Sequence, residues 1–131
     1  MKASMMTSDE ILFFNTHPRA LPLYAVLRER ILTAVPDARI EVGKTQISFF
    51  TKHMFAAASF APVGKAGERP DPFLTVTFGL RRRLASRRVA AAAEPYPNRG
   101  THHVWIGSAE DADEELMGWI GEAAAVSSGK R

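Results

Sequence analysis

Apolar residues are spaced helically at both ends of this chain and alternate between those ends. Thr7-Ser8-Asp9-Glu10 opens the first element. Thr7 is placed to accept from the free backbone N–H groups, and Glu10, three residues on, to reach back to the cap. Ile11, Leu12, Phe13 and Phe14 follow, so the spacing predicts a short, very apolar helix that must be buried. Residues 15–18 break it. A second helix is expected to begin within 18–22, because proline is tolerated in a first helical turn. Leu23, Leu27, Ile31 and Ala34 then repeat on one face, which puts Arg28, Glu29 and Arg30 on the wet side, and Pro36-Asp37 ends it.

The period then becomes two. Residues 39–42 alternate cleanly, and Gly43 marks a bend. Residues 44–51 form a second strand, with Thr45, Ile47 and Phe49 on one side and Lys44, Gln46, Ser48 and Phe50 on the other. A turn at 51–53 returns the chain as a third strand, 54–60. Residues 62–72, with two glycines and three prolines, read as an exposed loop. Residues 73–80 are the clearest strand, with Leu74, Val76, Phe78 and Leu80 on one face and Thr75 and Thr77 on the other. Residues 81–88 read as a basic turn. Residues 89–93 fit either an alanine-favoured helix or an edge strand. Residues 101–108 form a strand with Val104 and Ile106 opposite His103 and Trp105, and Ser108 is positioned to cap a final helix. Ala112, Leu116, Trp119, Ile120 and Ala123 make that helix's buried stripe.

Consecutive strands on short connections imply an α+β fold: a single antiparallel sheet of five to six strands, packed on two N-terminal helices and one C-terminal helix. One domain spans residues 1–131, with 1–6 and 127–131 expected as disordered tails. The parity of Ile40, Val42, Ile47, Leu74, Val76, Phe78, Val104 and Ile106 belongs under the helices. The opposite parity gathers polar groups and a few aromatics, as ligand surfaces do.

Composition narrows the chemistry. Cysteine is absent, which removes thiolate nucleophiles, disulfides and cysteine metal sites. The start lacks the apolar core of a signal peptide, and no apolar run approaches the roughly 20 residues of a membrane helix. The cytoplasm is therefore the default location, with no membrane partner. The net charge is +3, unevenly spread. Residues 64–103 carry eight cations against three acids, whereas residues 104–131 carry six acids against two cations. A basic middle suits phosphates or nucleic acid, and equally a solvated edge that resists aggregation.

The segment 94–103, EPYPNRGTHH, concentrates rigid backbone and titratable groups, with KTQISF at 44–49 as its companion. His102 and His103 are adjacent on a strand, so they point to opposite faces and do not share one metal ion unless the backbone bends. Ser48 or Thr101 with His103 and Glu94 forms a triad only on paper, without a strained nucleophile turn. Gly43-Lys44-Thr45 echoes a phosphate loop but lacks its earlier glycine. The reading is of no enzyme, no cofactor and no metal. The candidate ligand-binding residues are Lys44, Gln46, Ser48, Arg81, Tyr96, Arg99, His103 and Trp105, a cationic and partly aromatic set suited to a small anion or an acidic peptide. Convergence of Lys44, Ser48, Arg99 and His103 on one pocket is the expectation that follows. The alternatives are weak nucleic-acid binding through 81–88, and a structural or dimerisation module; the chain is expected as a monomer or homodimer.

KTQISFF, MFAAASFAP, LTVTFGLRRRLASRR, EPYPNRGTHHVWI and the acidic helix DEELMGWIGEA, in this order, resemble a bacterial family catalogued as a domain of unknown function, some members of which are labelled predicted transport proteins. The likeness runs from Phe14 to Ala124. It implies a small stand-alone or fused α+β domain and implies no activity. Two departures stand out. Gly100 occupies a position where the family pattern carries a bulky residue, often Trp, and Ala91, Ala92 and Ala93 replace more polar positions.

Overall fold

The computed structural model describes residues 5–96 and 99–129, with backbone alone at 94–96 and 99. Three helices, α1 (Ser8–Phe13), α2 (Leu21–Ala34) and α3 (Glu114–Ser127), accompany six strands: β1 (Arg39–Val42), β2 (Gln46–Phe50), β3 (Met54–Ser59), β4 (Leu74–Leu80), β5 (Val89–Tyr96) and β6 (Arg99–Ile106). The fold class is α+β, and the strands form one antiparallel-paired sheet in the order β1-β2-β3-β4-β6-β5. The ambiguous 89–93 segment is strand, at the sheet edge.

The aliphatic parity lies under the helices. Ile47, Val76, Val104 and Ile106 have no solvent exposure, and Leu116 and Ile120 of α3 are equally buried. Trp119, expected in the same stripe, is only half-buried; it covers Phe78 at 5.9 Å while the Arg88 guanidinium sits 5.8 Å from its ring centre. Ser108 caps a single 3-10 turn (Ala109–Asp111), not α3. The cap of α3 is Asp113, whose carboxylate accepts from the Leu116 N–H at 3.0 Å. The helix therefore begins one turn later than its sequence suggests.

Arg28 is the largest departure from the amphipathic reading of α2. It is 5% exposed, not on the wet side. Its Nε donates to Glu10 Oε2 at 2.7 Å, and the Tyr24 hydroxyl donates to the same oxygen. The expected capping box forms, with Thr7 N–H on Glu10 Oε1 at 2.8 Å and Glu10 N–H on Thr7 Oγ1 at 3.2 Å. One carboxylate thus caps α1 and ties it to α2. Burial pushes the Glu10 carboxyl up, and the bonds from Arg28, Tyr24 and Thr7 more than offset this, leaving it below the usual carboxylate range.

Strands β4 and β5 both pair antiparallel with β6, so they run parallel to one another and residues 81–88 must cross β6. The segment read as a basic turn is a strap over the helix-facing side. It is pinned at three points. The Arg82 carbonyl lies over Gly100, where an added Cβ would sit only 2.6 Å from it; no bulky residue fits there. Leu84 donates its N–H to His102 Nε2 at 2.9 Å. Arg82 and Arg88 then reach α3, Arg82 to Glu122 through two bonds of 3.0 and 2.9 Å, and Arg88 to Asp113 at 2.8 Å and Glu115 at 3.1 Å.

Accepting from Leu84 requires an unprotonated Nε2, and burial holds the His102 pKa below its usual value. The neutral ring is favoured in the fold, so stability is full above the ordinary imidazole range and declines as pH falls through it. Urea midpoints should drop between about pH 7.5 and pH 5.5. Burial also depresses His103, so His103→Asn should retain part of that slope. A flat profile in both proteins would refute the anchoring role of neutral His102.

The C-terminal end is tied in, although residues from 127 were expected as tail. Ser127 is 6% exposed; its Oγ accepts from Thr51 Oγ1 at 2.8 Å and from His53 N–H at 2.9 Å, and donates to the His53 carbonyl. Ser127→Ala leaves those groups unpaired and should lower stability by roughly 1–3 kcal/mol in urea unfolding. Met6, expected in the other tail, packs against the core. The tail expectations for 1–4 and 130–131 lie outside the described residues.

Candidate functional site

Gly43 N–H donates to the Gln46 carbonyl at 2.8 Å, closing the turn between β1 and β2. Lys44 sits on this turn, exposed, with no acid within ion-pair distance among the described residues. Beside it opens a cleft of about 890 Å³ at the end of β2 and β3, walled by α1. Lys44, Gln46, Ser59, Asn15, Thr16 and Asp9 supply its polar groups, and Leu12, Phe13 and Phe60 are its large apolar ones. Phe60 is fixed by His17, stacked at 3.8 Å, and by Phe13, stacked at 5.5 Å. Leu12 is 64% exposed, a leucine left in water at the cleft wall.

The structure places the sequence-predicted site residues in four groups. Lys44 and Gln46 share the cleft. Gln46 also donates through Nε2 to Ser48 Oγ at 2.8 Å, and Ser48 is largely buried on the same sheet face. His103 and Trp105 lie on that face too, but the row Ser48–Ala57–Thr77–His103 crosses two intervening strands. Three strand spacings amount to about 14 Å. Strand order therefore separates Lys44 and Ser48 from His103, and the expected single pocket is replaced by two regions. Arg81 is exposed on the strap. Tyr96 and Arg99 are paired across the β5–β6 hairpin through their backbones, and their side chains lie outside the described residues.

The loop at 62–72 is exposed along 64–68, as expected, and at Gly64 it also roofs part of the second region. Ala61 accepts from Thr75 Oγ1 at 2.9 Å, leaving Thr75 fully buried. Gly64, at φ 67°, lies against the Trp105 ring, so a Cβ there would be 2.9 Å from it. Under this cover the Trp105 Nε1 and Arg69 Nε atoms are buried without partners. His103 Nδ1 bonds Thr77 Oγ1 at 2.8 Å. The hydroxyl beside His103 is thus that of Thr77, not of Ser48 or Thr101.

His102 faces the helices, stacked on Phe78 at 5.5 Å, and His103 faces the other way. Among the described residues no three His, Asp or Glu side chains cluster as metal ligands, and no helix is long and apolar enough to cross a membrane.

The sequence pattern of a domain of unknown function, DUF5655, matches residues 12–125, nearly the whole chain. The chain belongs to the DUF5655 family. No curated protein and no solved structure matches it. The matched span of the DUF5655 domain contains all six strands, the strap and nearly all of α3, but starts inside α1. The cleft wall at Leu12, Phe13, Asn15 and Thr16 lies within it, whereas Glu10 and Asp9 precede it.

Sequence reasoning missed Leu12, Phe13 and Phe60 as cleft residues. Their signal was present in one form: Ile11, Leu12 and Phe13, three consecutive large apolar residues in a helix of six, cannot all be buried, so at least one must face outward. Phe60 carried no such mark, because it follows directly on a strand.

Proposed function

We propose that this DUF5655 domain is a non-enzymatic binding domain for a small anion with an apolar body, seated in the cleft at Lys44. The carrying observation is the pairing of an unneutralised Lys44 with the exposed Leu12 in one cleft. A cationic donor with apolar walls suits a carboxylate or phosphate whose remainder is hydrophobic. Gln46 and Asn15 add amide groups that fix orientation. Asp9 also lines the cleft, so the ligand carries its negative charge at the Lys44 end only.

The acidic-peptide form of this reading is less well supported, because a second carboxylate would meet Asp9. The nucleic-acid alternative is weakened as well: Arg82 and Arg88, two of the strap's five arginines, are already bound to α3.

Benzoate and phenyl phosphate, with neutral benzamide as control, are suitable probes in ligand-observed NMR. The charged probes should bind and benzamide should not. Lys44→Ala should weaken binding about tenfold, the loss of one charge-assisted bond of about 1.4 kcal/mol. Asp9→Asn should strengthen it. Equal affinity of benzoate and benzamide, or indifference to Lys44→Ala, would refute the site.

A further inference from the structure

The Lys44 cleft holds a second charge that a simple anion does not use. Asp9 lines it from α1, exposed, and its carboxylate has no hydrogen bond or ion pair among the described residues. It does not reach Lys44, which enters the cleft from the turn between β1 and β2. Asp9, Leu12 and Phe13 fall at i, i+3 and i+4, so they share one face of α1. Asp9 stands about 6 Å along the helix axis from Phe13, four residues on. The α1 wall therefore runs from an acid to apolar side chains. The protein neutralises neither Asp9 nor Lys44, so a ligand that meets both must bring a cation as well as an anion.

Two side-chain amides line the same cleft. Asn15 makes no side-chain bond among the described residues. Gln46 spends its Nε2 on Ser48 Oγ at 2.8 Å, which leaves its side-chain carbonyl free to accept. A peptide main chain supplies the N–H and C=O groups that such amides bond. Leu12, Phe13 and Phe60 favour apolar side chains on that main chain.

We propose that the cleft takes a short apolar peptide with both termini free, its carboxylate on Lys44 and its ammonium on Asp9. This rests on the reading of Lys44 as a carboxylate site and adds the class of ligand. The two charges set the direction of the bound chain. An ammonium turns Asp9 from a repulsive neighbour into a partner, and a ligand that has lost either terminus forfeits one charge-assisted bond.

The test titrates the isotopically labelled full chain with Leu-Leu, N-acetyl-Leu-Leu, Leu-Leu amide and free leucine, reading dissociation constants from backbone amide shifts. Leu-Leu should bind about fivefold more tightly than each of the other three, which lack the ammonium, the carboxylate or the main-chain amide. Asp9→Asn should act in opposite directions: it weakens Leu-Leu and strengthens N-acetyl-Leu-Leu, which presents an anion and no cation. Asp9→Glu keeps the charge and should keep the preference for Leu-Leu, which separates loss of charge from damage to α1. N-acetyl-Leu-Leu binding as tightly as Leu-Leu, with both lost in Lys44→Ala, overturns the peptide proposal and leaves the anion reading standing. Free leucine equal to Leu-Leu overturns the peptide body, and indifference of Leu-Leu to Asp9→Asn overturns the ammonium site. Leu-Leu binding that Lys44→Ala leaves unchanged overturns the proposal together with the anion reading. No shift with any of the four overturns the proposal, and benzoate then decides the anion reading by itself.

Discussion

Glu10→Gln should destabilise the protein by about 3–5 kcal/mol, a large part of the total stability of a domain this size. Glu10 is 1% exposed and holds Arg28, 5% exposed, through bonds of 2.7 and 3.3 Å. Removing the carboxylate takes the Glu10 charge away from the buried guanidinium that it holds through two bonds, which costs more than a surface ion pair is worth. The amide keeps one acceptor oxygen where the carboxylate offered two, so the Tyr24 hydroxyl, whose own pKa is raised by burial and then by Glu10, competes for it with the Thr7 N–H. Because Glu10 lies below the usual carboxylate range when folded, its contribution is present above that range and lost as pH falls through it. The double variant Glu10→Gln/Arg28→Met should cost clearly less than the two single changes added together, because both members of the buried pair go together. Urea unfolding of the four proteins decides the matter. A loss below about 1 kcal/mol for Glu10→Gln, or strict additivity, would contradict a coupled buried pair.

Phe78→Ala should cost about as much, roughly 3–5 kcal/mol, through loss of transfer energy and the cavity left behind. Phe78 is 1% exposed at the centre of β4, stacked on His102 on the neighbouring strand and on Trp119 of α3. It therefore joins three parts: the sheet, the last helix and, through His102, the strap. With the ring gone, His102 loses the surface that orients its Nε2 toward the Leu84 N–H. The Leu84 amide should then exchange with solvent well before global unfolding, a readout that simple core loosening does not single out. An unfolding loss under about 2 kcal/mol would show that Trp119 and His102 pack without it. Protected Leu84 exchange would show that His102 holds the strap unaided.

The fold was legible because its signals are periodic. Alternation in 39–42 and 73–80 fixed which residues face the helices, and Val76 and Ile106 are fully buried as that parity requires. Arg28 was not legible. Its burial depends on Glu10, 18 residues away, and a pair of charges that neutralise each other leaves no trace in hydrophobic spacing. The strap was misread as a turn because a short connection usually joins neighbouring strands; here β6 inserts between β4 and β5 from later in the chain. The same fact scattered the candidate site. Parity correctly put Gln46, Ser48, His103 and Trp105 on one face, but parity says nothing of strand order, which sets them apart. The roofing of Trp105 by the glycine- and proline-rich loop was equally hidden, since loop composition predicts turns and not where they lie.

Backbone amide NMR of the isotopically labelled chain, titrated with benzoate, tests the Lys44 cleft most directly. Shifts confined to Leu12, Thr16, Lys44, Thr45, Gln46 and Phe60, absent in Lys44→Ala, are the predicted result. Shifts centred instead on the strap arginines, or on His103 and Trp105, would place the anion elsewhere and contradict the account.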